Sequence, residues 1–433
     1  MQQPPKSGIV PIFILGAFFF IFGFVTWLNG TLIPYLKIAC QLNTSQSLLV
    51  AGAFYLSYFF MALPSSWILK KTGLKKGMML GLLVMSAGAL IFIPAAQTRT
   101  YGLFLTGLFV IGTGLTILQA ASNPYITIVG PIESAARRIS IMGICNKVAG
   151  VLAPLILGAI ILSDADTLTK DLLTLNAAQK IEKLNELASR VIMPYTFMAG
   201  ALAFLAFLVR FSPLPEIESE QDAVVESISE SKTSILQFPN LILGVIALFL
   251  YVGIEVVSVD TISLFGQSLG VPLSISKNFA SYTLASMVIG YILGVMLIPK
   301  VISQSKALTY SAILGILLSV AAIQARGISG LGPFTGTPIS ILFIALLGFA
   351  NAIMWPAIWP LAIHGLGKFT KTGSALLIMA IVGGACLSWL YGRLADIDFI
   401  GHQKAYWILV PCYIVILFYS TTGHKLKNWS LKG

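Results

Sequence analysis

Charged residues are scarce in this chain. Asp, Glu, Lys and Arg make up 10% of its 433 residues, whereas 57% are hydrophobic. A soluble domain carries roughly 25% charged residues, so this sequence has too little charge to cover a water-facing surface. The shortage excludes a soluble enzyme, a nucleic-acid-binding protein and a disordered chain, and it indicates a polytopic membrane protein.

Cysteine and histidine are also sparse. The four cysteines have neither metal-ligand nor disulfide spacing: Cys40, Cys145, Cys386 and Cys412. The three histidines fall in separate parts of the sequence: His364, His402 and His424. We therefore expect no catalytic site, no metal site and no cofactor.

Long apolar runs are abundant instead. A membrane-spanning helix needs about 20 apolar residues, and twelve runs qualify: 10–37, 47–69, 77–97, 101–129, 139–162, 191–211, 239–266, 276–299, 307–325, 338–364, 373–392 and 404–423. The predicted fold class is an all-α membrane protein, with twelve transmembrane helices in two pseudo-symmetric six-helix bundles.

The loop charges predict the orientation. Cytoplasmic loops carry an excess of Lys and Arg, and with the N-terminus inside, 16 of the 27 basic residues fall on that side and 10 outside. Both termini are thus predicted to be cytoplasmic, in a multi-pass protein of the inner or plasma membrane. The net charge of +11 is then a topology signal and indicates no nucleic-acid partner.

Two polar segments interrupt the apolar pattern. Residues 163–190 carry leucines at helical spacing, which predicts an amphipathic helix packed on the outer surface. Residues 212–237 contain six acids and predict a solvated cytoplasmic linker between bundles 1–211 and 238–433. Ile14-Leu15-Gly16 recurs as Ile242-Leu243-Gly244, 228 residues later. Facing repeats predict a site between them near the membrane midplane.

Three charged residues lie inside the predicted spans: Lys147, Glu255 and Asp260. A charge at the centre of a bilayer is costly and should face the protein interior with a partner. The two acids are five residues apart, roughly 140° around a helix, so we expect one to pair with Lys147 and the other to serve a different role. Both a coupling site, where Na⁺ or a proton neutralises a carboxylate, and a permanent salt bridge between the halves fit this pattern.

Uncharged amides and indoles form the candidate substrate site. Several share helix faces or flank prolines within the spans: Trp27, Asn29, Gln119, Asn123, Asn146, Asn351, Trp355 and Trp359. Amides donate to and accept from hydroxyl groups, and an indole ring can pack against the C–H face of a sugar. The set predicts a site for a neutral polyhydroxylated ligand, although hydrogen bonds between helices and packing would use the same residues.

Four motifs indicate a family: Gln119-Ala-Ala-Ser-Asn-Pro-Tyr125, Tyr251-Val-Gly-Ile-Glu255, Asn351-Ala-Ile-Met-Trp-Pro356 and Gly383-Gly384-Ala385. At these residues the chain resembles a major-facilitator sugar transporter of the fucose:proton symporter family, particularly its bacterial glucose/galactose branch. The resemblance implies alternating access and hexose uptake with a coupling cation, and it implies sugar contacts at Asn29, Gln119, Asn123, Asn146 and Asn351. Fucose/proton symporters carry coupling carboxylates in the first and fourth spans. Gly30 and Gln119 stand there in this chain, so that proton mechanism does not transfer.

The predicted function is uptake of a neutral monosaccharide, glucose, galactose or a related hexose, coupled to Na⁺ or H⁺. We expect a monomeric symporter in the lipid bilayer. An uncoupled sugar uniporter, a major-facilitator transporter of other cargo and a multi-pass membrane enzyme remain as alternatives.

Overall fold

The computed structural model of the protein describes residues 9–128, 135–212 and 233–429. The α-helices before the gap at 213–232 are α1 Ile9–Trp27, α2 Asn29–Ala39, α3 Thr44–Ser47, α4 Leu49–Thr98, α5 Tyr101–Ile128, α6 Ala135–Ile161, α7 Ala165–Thr174, α8 Ala177–Ser189 and α9 Ile192–Phe211. Those after it are α10 Pro239–Asp260, α11 Ile262–Ser268, α12 Leu273–Ser276, α13 Phe279–Leu297, α14 Gln304–Gln324, α15 Ile339–Asn351, α16 Met354–Ile363, α17 Thr370–Met379, α18 Gly383–Ala395, α19 Gly401–Ala405 and α20 Leu409–Thr421. Short 3-10 turns lie at Ile235–Gln237, Gly332–Phe334, Gly367–Phe369, Ala380–Val382, Tyr406–Ile408 and Gly423–Lys425.

The helices account for the predicted membrane spans. Within the described residues, 11 helical stretches are long and apolar enough to cross a bilayer. One of them, Thr44–Thr98, contains two spans, because α4 turns sharply at Gly73, where φ is 75°. Glycine adopts that backbone angle at little cost. The predicted fold class, an all-α membrane protein of twelve spanning helices, is confirmed.

Several spans consist of two helices in succession. The first span is interrupted at Leu28, between α1 and α2, and the seventh at Thr261, between α10 and α11. These interruptions lie at corresponding positions of the two halves. Interrupted helices in matching positions of a repeat are a pointer to the binding site of a transporter.

Helices of the two halves pack against each other in several places. Helix α6 packs against α13, α4 against α17 and α18, and α2 against α10 and α11. One hydrophobic core runs through both halves. The opposite faces are apolar and exposed, as on α9, where Phe197 is 78% and Phe204 60% exposed. A helix that exposes such residues over its length is suited to contact lipid rather than water.

The helix bundle has two ends, here called the loop end and the linker end. The loop end carries the connections at 40–48, 162–191, 269–278 and 396–400, and the linker end carries the residues that flank 213–232. At the loop end, the segment predicted as one amphipathic helix forms two, α7 and α8, because the backbone becomes extended at Leu175 and Asn176 then caps the second helix. Leu168, Leu184 and Leu187 are its buried apolar contacts.

Most of the predicted acidic linker, 212–237, lies outside the described residues. Its last residues form the capped 3-10 turn Ile235–Gln237, whose N-cap is Ser234. The division into bundles 1–211 and 238–433 stays a prediction.

Candidate functional site

A buried ion pair joins the two halves. Lys147 lies in the middle of α6 and Glu255 in α10, and the distance from Lys147 Nζ to Glu255 Oε1 is 2.6 Å. Both side chains are 9% exposed. Two charges taken out of water are costly unless they pair with good geometry, so this contact settles which of the two acids pairs with Lys147. It also ties the position of α6 to that of α10.

Trp27 covers this ion pair. The Lys147 ammonium lies 4.7 Å from the centroid of the Trp27 ring, a cation–π geometry. The indole fits because Gly150 has no side chain: a Cβ there would stand 2.4 Å from Trp27 Cδ1. Trp27 is 3% exposed, and its Nε1 has no hydrogen-bond partner among the described residues. The indole therefore shields the ammonium group and keeps one unused donor.

Asp260 points to a different neighbour. A Cβ on Gly30 of α2 would stand 3.8 Å from Asp260 Oδ1, so this acid faces the first span rather than Lys147. Asp260 is 0% exposed, and in the part of the chain that the structure describes neither of its oxygens accepts a hydrogen bond. Asn29, next to Gly30, is equally buried, and its amide also lacks a partner there. The two acids thus have separate environments, as their spacing predicts.

The remaining amides of the first half are only weakly held. Gln119 Nε2 lies 3.4 Å from the Tyr58 hydroxyl, and Asn146 Nδ2 lies 3.4 Å from the Phe19 carbonyl oxygen. Gln119 and Asn146 are half-buried, and Asn123 is exposed. Long hydrogen bonds of this kind leave the amides able to bind another group.

Asn351 is held much more firmly. Its Oδ1 accepts from the Tyr413 hydroxyl at 2.7 Å, and its Nδ2 donates to Ser258 Oγ at 3.3 Å. The residue is 0% exposed. Asn351 thus fixes α15 against α10 and α20, and a direct contact with a ligand would require it to exchange these partners.

The predicted tryptophan stripe is present. Trp355 and Trp359 stack with ring centroids 5.4 Å apart, and Trp355 lies 6.5 Å from the ring of Tyr251. Both tryptophans are half-buried on α16. They form an aromatic wall on the second half, close in sequence to the helix interruption after Asn351.

Sequence reasoning missed the tyrosines and serines that complete these contacts. Tyr58, Tyr413 and Ser258 bind the predicted amides, and Tyr55 is a buried hydroxyl without a partner in the described ranges. Tyr55 and Tyr58, three residues apart in one apolar run, were the available signal, since hydroxyls rarely stand in a span without a partner. No such pattern marks Tyr413 or Ser258.

Polar contacts close the loop end between the two halves. Asp396, after α18, accepts from the backbone N–H groups of Thr44 and Ser45, at 3.2 and 2.8 Å. Asp166 of α7 accepts from the Ser274 N–H and hydroxyl groups. Lys277 donates to the Leu162 carbonyl oxygen at 2.7 Å. Each contact pairs a residue from one half with the other half.

These contacts change the pKa values of the two acids. The hydrogen bond from the Ser274 side chain is the largest cause that lowers the pKa of Asp166 below its ordinary value of 3.8. Burial raises the pKa of Asp396, but hydrogen bonds from Ser45 and Thr44 outweigh it and leave that pKa lowered. Both acids are therefore charged at neutral pH and bind best in that form.

The arrangement is suited to a change of access between the two sides of the bundle. The described residues include no group of three or more side chains that could hold a metal ion. The charges and polar contacts lie instead between two rigid helical halves, where a relative movement would break or form them.

Comparison with known proteins identifies the family. The family model described as Major Facilitator Superfamily matches residues 15–388. The "Glucose/galactose transporter" of Brucella abortus (strain 9-941) is 35% identical over 411 residues, which cover 94% of this chain and 92% of that protein. The "L-fucose-proton symporter" of Escherichia coli (strain K12) is 28% identical, over 90% of this chain and 88% of its own.

The fold agrees with solved structures of the same kind. The crystal structure of the E. coli fucose:proton symporter FucP has a TM-score of 0.71 and 27% sequence identity, and the match covers 96% of this chain and 98% of that one. These relatives are transporters, not enzymes, so the alternative of a membrane enzyme is excluded. The chain belongs to the Major Facilitator Superfamily, among the relatives that its motifs predict.

Proposed function

We propose that the protein takes up a neutral monosaccharide by alternating access, coupled to Na⁺ or H⁺. The observation that carries this proposal is the ion pair between Lys147 and Glu255, which links the two halves and is flanked by uncharged amides and indoles. The names of the relatives, glucose/galactose transporter and L-fucose-proton symporter, support a hexose as the cargo.

The sugar is proposed to bind between amides of the first half and indoles of the second. Gln119, Asn123 and Asn146 would bind hydroxyl groups, because their present hydrogen bonds are long or their side chains exposed. Trp355 and Trp359 would pack against the ring. A small-molecule site of this kind needs a few convergent polar groups on apolar walls.

Three further predicted residues take supporting roles in this proposal. Asn351 holds α15 in place through Tyr413, while Trp27 and Asn29 flank the interruption between α1 and α2. They would shape the site from the first and tenth spans, and Asn351 would reach the sugar once it exchanges a partner.

Coupling is proposed to depend on Lys147, Glu255 and Asp260. A cation that neutralises one of the acids would change the balance between conformations, since only ligands with differential affinity shift such an equilibrium. The closed loop end is proposed to face the cell exterior, with both termini and the linker in the cytoplasm, as the loop charges predict. We propose a monomer in the cell membrane.

A specific observation favours one alternative. Lys147 already neutralises Glu255, so the chain supplies a fixed positive charge where a coupling cation would bind. A uniporter would need no further ion, and transport of the sugar would then follow its gradient alone.

The test is uptake of labelled glucose, galactose and fucose into proteoliposomes, with Na⁺ and proton gradients imposed separately. Accumulation of one sugar above its external concentration under one gradient supports coupled uptake. Equilibration without accumulation under either gradient identifies a uniporter. If none of the three sugars is moved or exchanged, the sugar proposal fails.

A further inference from the structure

Asp260 is an acidic side chain that the Lys147–Glu255 ion pair does not include. It is the last residue of α10, is 0% exposed and, among the described residues, receives no hydrogen bond at either oxygen. The ammonium of Lys147 is bound to Glu255 and so does not neutralise it. An isolated carboxylate in an apolar interior is very costly. Asp260 therefore needs either a proton or a bound cation to neutralise it.

Further oxygen acceptors lie near Gly30 or close to Asp260 in the sequence. Its Oδ1 and the carbonyl oxygen of Val259 lie 3.8 and 3.9 Å from the point where a Cβ on Gly30 would stand. Both oxygens thus lie near α2, and Ala280 Cβ is the nearest atom to the same point, at 2.9 Å. Asn29, adjacent to Gly30, and Ser263, three residues beyond Asp260, are 0% exposed, and their side-chain polar atoms have no partners within the described ranges. So many unsatisfied buried polar atoms are unusual in a native protein.

The backbone reinforces the preference for a cation. Helix α10 ends at Asp260, and the Thr261 N–H and hydroxyl groups both turn back to the Val257 carbonyl oxygen. The last carbonyl groups of a helix lack partners within it and carry partial negative charge. In transporters, the ends of interrupted helices are where Na⁺ or H⁺ is coordinated.

We propose that Asp260, the Val259 carbonyl oxygen and the Asn29 amide oxygen bind one Na⁺ ion at the contact between α10 and α2. This inference rests on the proposed coupled transport and names its ion and its site. A proton would satisfy one acceptor and leave the other oxygens unpaired, whereas a metal ion binds several oxygen ligands at once. The buried Ser263 hydroxyl, three residues beyond Asp260, is included in the proposal as a further oxygen ligand.

The position of the site links the ion to the conformation. Asp260 and Val259 belong to the second half, and Asn29 and Gly30 belong to the first. The ligand set is therefore complete only while α2 and α10 are in contact. Bound Na⁺ stabilises the state in which the halves meet near the loop end. Without the ion, burial of the Asp260 carboxylate destabilises that state.

The first experiment measures thermal unfolding of the purified full-length protein in detergent without sugar. NaCl replaces choline chloride at constant ionic strength and constant pH. Wild-type protein is expected to gain stability as NaCl rises, as a ligand of the native state requires. Asp260→Asn should lose this Na⁺ dependence, and Asn29→Ala should weaken the apparent Na⁺ affinity by about tenfold or more. Asp398→Asn, an exposed acid at the loop end, is the matched control and should respond like wild type.

The outcomes of this experiment decide on the Na⁺ site independently of the proposed sugar transport. Equal stabilisation by choline and Na⁺, or a full Na⁺ response in Asp260→Asn, overturns the site. A response to pH with none to Na⁺ also overturns it. Gel filtration of every variant checks folding, and should Asp260→Asn not purify, Asn29→Ala and Ser263→Ala decide through their Na⁺ titrations. Because no sugar is present, a Na⁺ response lost in Asp260→Asn supports the site even if sugar exchange is absent and the transport proposal fails.

Discussion

Lys147 and Glu255 form a single hydrogen-bonded ion pair, 2.6 Å long, between the fifth and seventh spans. Each residue belongs to a different half, and neither has appreciable contact with solvent. Removal of one partner leaves the other charge buried and unpaired. A single substitution should therefore lower the stability of the protein far more than replacement of both residues by uncharged ones.

Glu255→Gln and Lys147→Met are each expected to destabilise the protein strongly, by about 3–5 kcal/mol if the pair behaves like other buried ion pairs. The double variant should recover most of this loss, because no uncompensated charge remains. Thermal unfolding of the four proteins forms a double-mutant cycle that measures the coupling. Additive losses in the double variant would contradict the pairing.

The same four proteins separate clamping from coupling. If the pair only clamps the halves, the stable double variant should still accumulate sugar against its gradient in proteoliposomes. If the pair carries the coupling ion, the double variant should exchange sugar but not accumulate it. The Lys183→Met and Glu186→Gln double variant removes an exposed ion pair of α8 and serves as the control.

Gly150→Ala is expected to displace Trp27, since the added Cβ would lie 2.4 Å from Trp27 Cδ1. The displaced indole would lose its position over the Lys147 ammonium, a contact of about 0.5–2 kcal/mol, and overpacking costs about 1–3 kcal/mol more. Lower thermal stability and altered tryptophan fluorescence are the measurements. Gly200→Ala in α9 is the control, because nothing lies within 4 Å of a Cβ there. Trp27→Ala removes the clashing ring atoms, so Gly150→Ala should cost less stability in that variant than in the wild type, and an equal cost would argue against this contact.

Much of the architecture is predictable from the sequence because a membrane imposes a simple requirement on each span. Apolar runs of sufficient length locate the helices, and the turn at Gly73 separates two spans that run on as α4. The amphipathic segment was less predictable. Leucines at helical spacing mark its helices, but the extended backbone at Leu175 and Asn176, which separates α7 from α8, is local geometry that leucine spacing does not show.

The candidate site is only partly predictable, for a related reason. The three charged residues inside the spans predict that Lys147 pairs with one of two acids. That the partner is Glu255 depends on how α10 is rotated against α6, which the sequence does not show. The partners of Asn351 come from helices remote in sequence, Ser258 from α10 and Tyr413 from α20. Helical periodicity describes one helix at a time and carries no information about such contacts.

Tyr413→Phe is expected to destabilise the protein by about 1–3 kcal/mol, because it leaves the buried Asn351 Oδ1 without its 2.7 Å donor. A freed Asn351 amide should also change sugar affinity, since the side chain can then turn towards a ligand. The measurements are thermal unfolding and the sugar concentration at half-maximal exchange. Tyr310→Phe removes an exposed hydroxyl, on a residue that is 59% exposed, and should change neither. An unchanged stability in Tyr413→Phe would contradict a structural role for this hydrogen bond.

Asp396→Asn is expected to favour opening at the loop end, because an amide accepts more weakly than a carboxylate from the Thr44 and Ser45 N–H groups. The pKa of Asp396 is lowered below its ordinary value of 3.8. At pH values above 3.8 the carboxylate is therefore charged, accepts both hydrogen bonds and stabilises the closed loop end. This contribution is lost as the pH falls through the lowered pKa of Asp396. The contact of Asp166, whose pKa is also lowered, is expected to weaken in the same direction.

Opening of the loop end can be measured with Ser45→Cys, a substitution within the contact. The measured quantity is the rate at which a polar thiol reagent labels this cysteine. Asp396→Asn should label faster at neutral pH. Asp398→Asn should match the wild type, and if Asp396→Asn labels no faster than Asp398→Asn, this contact does not hold the loop end closed.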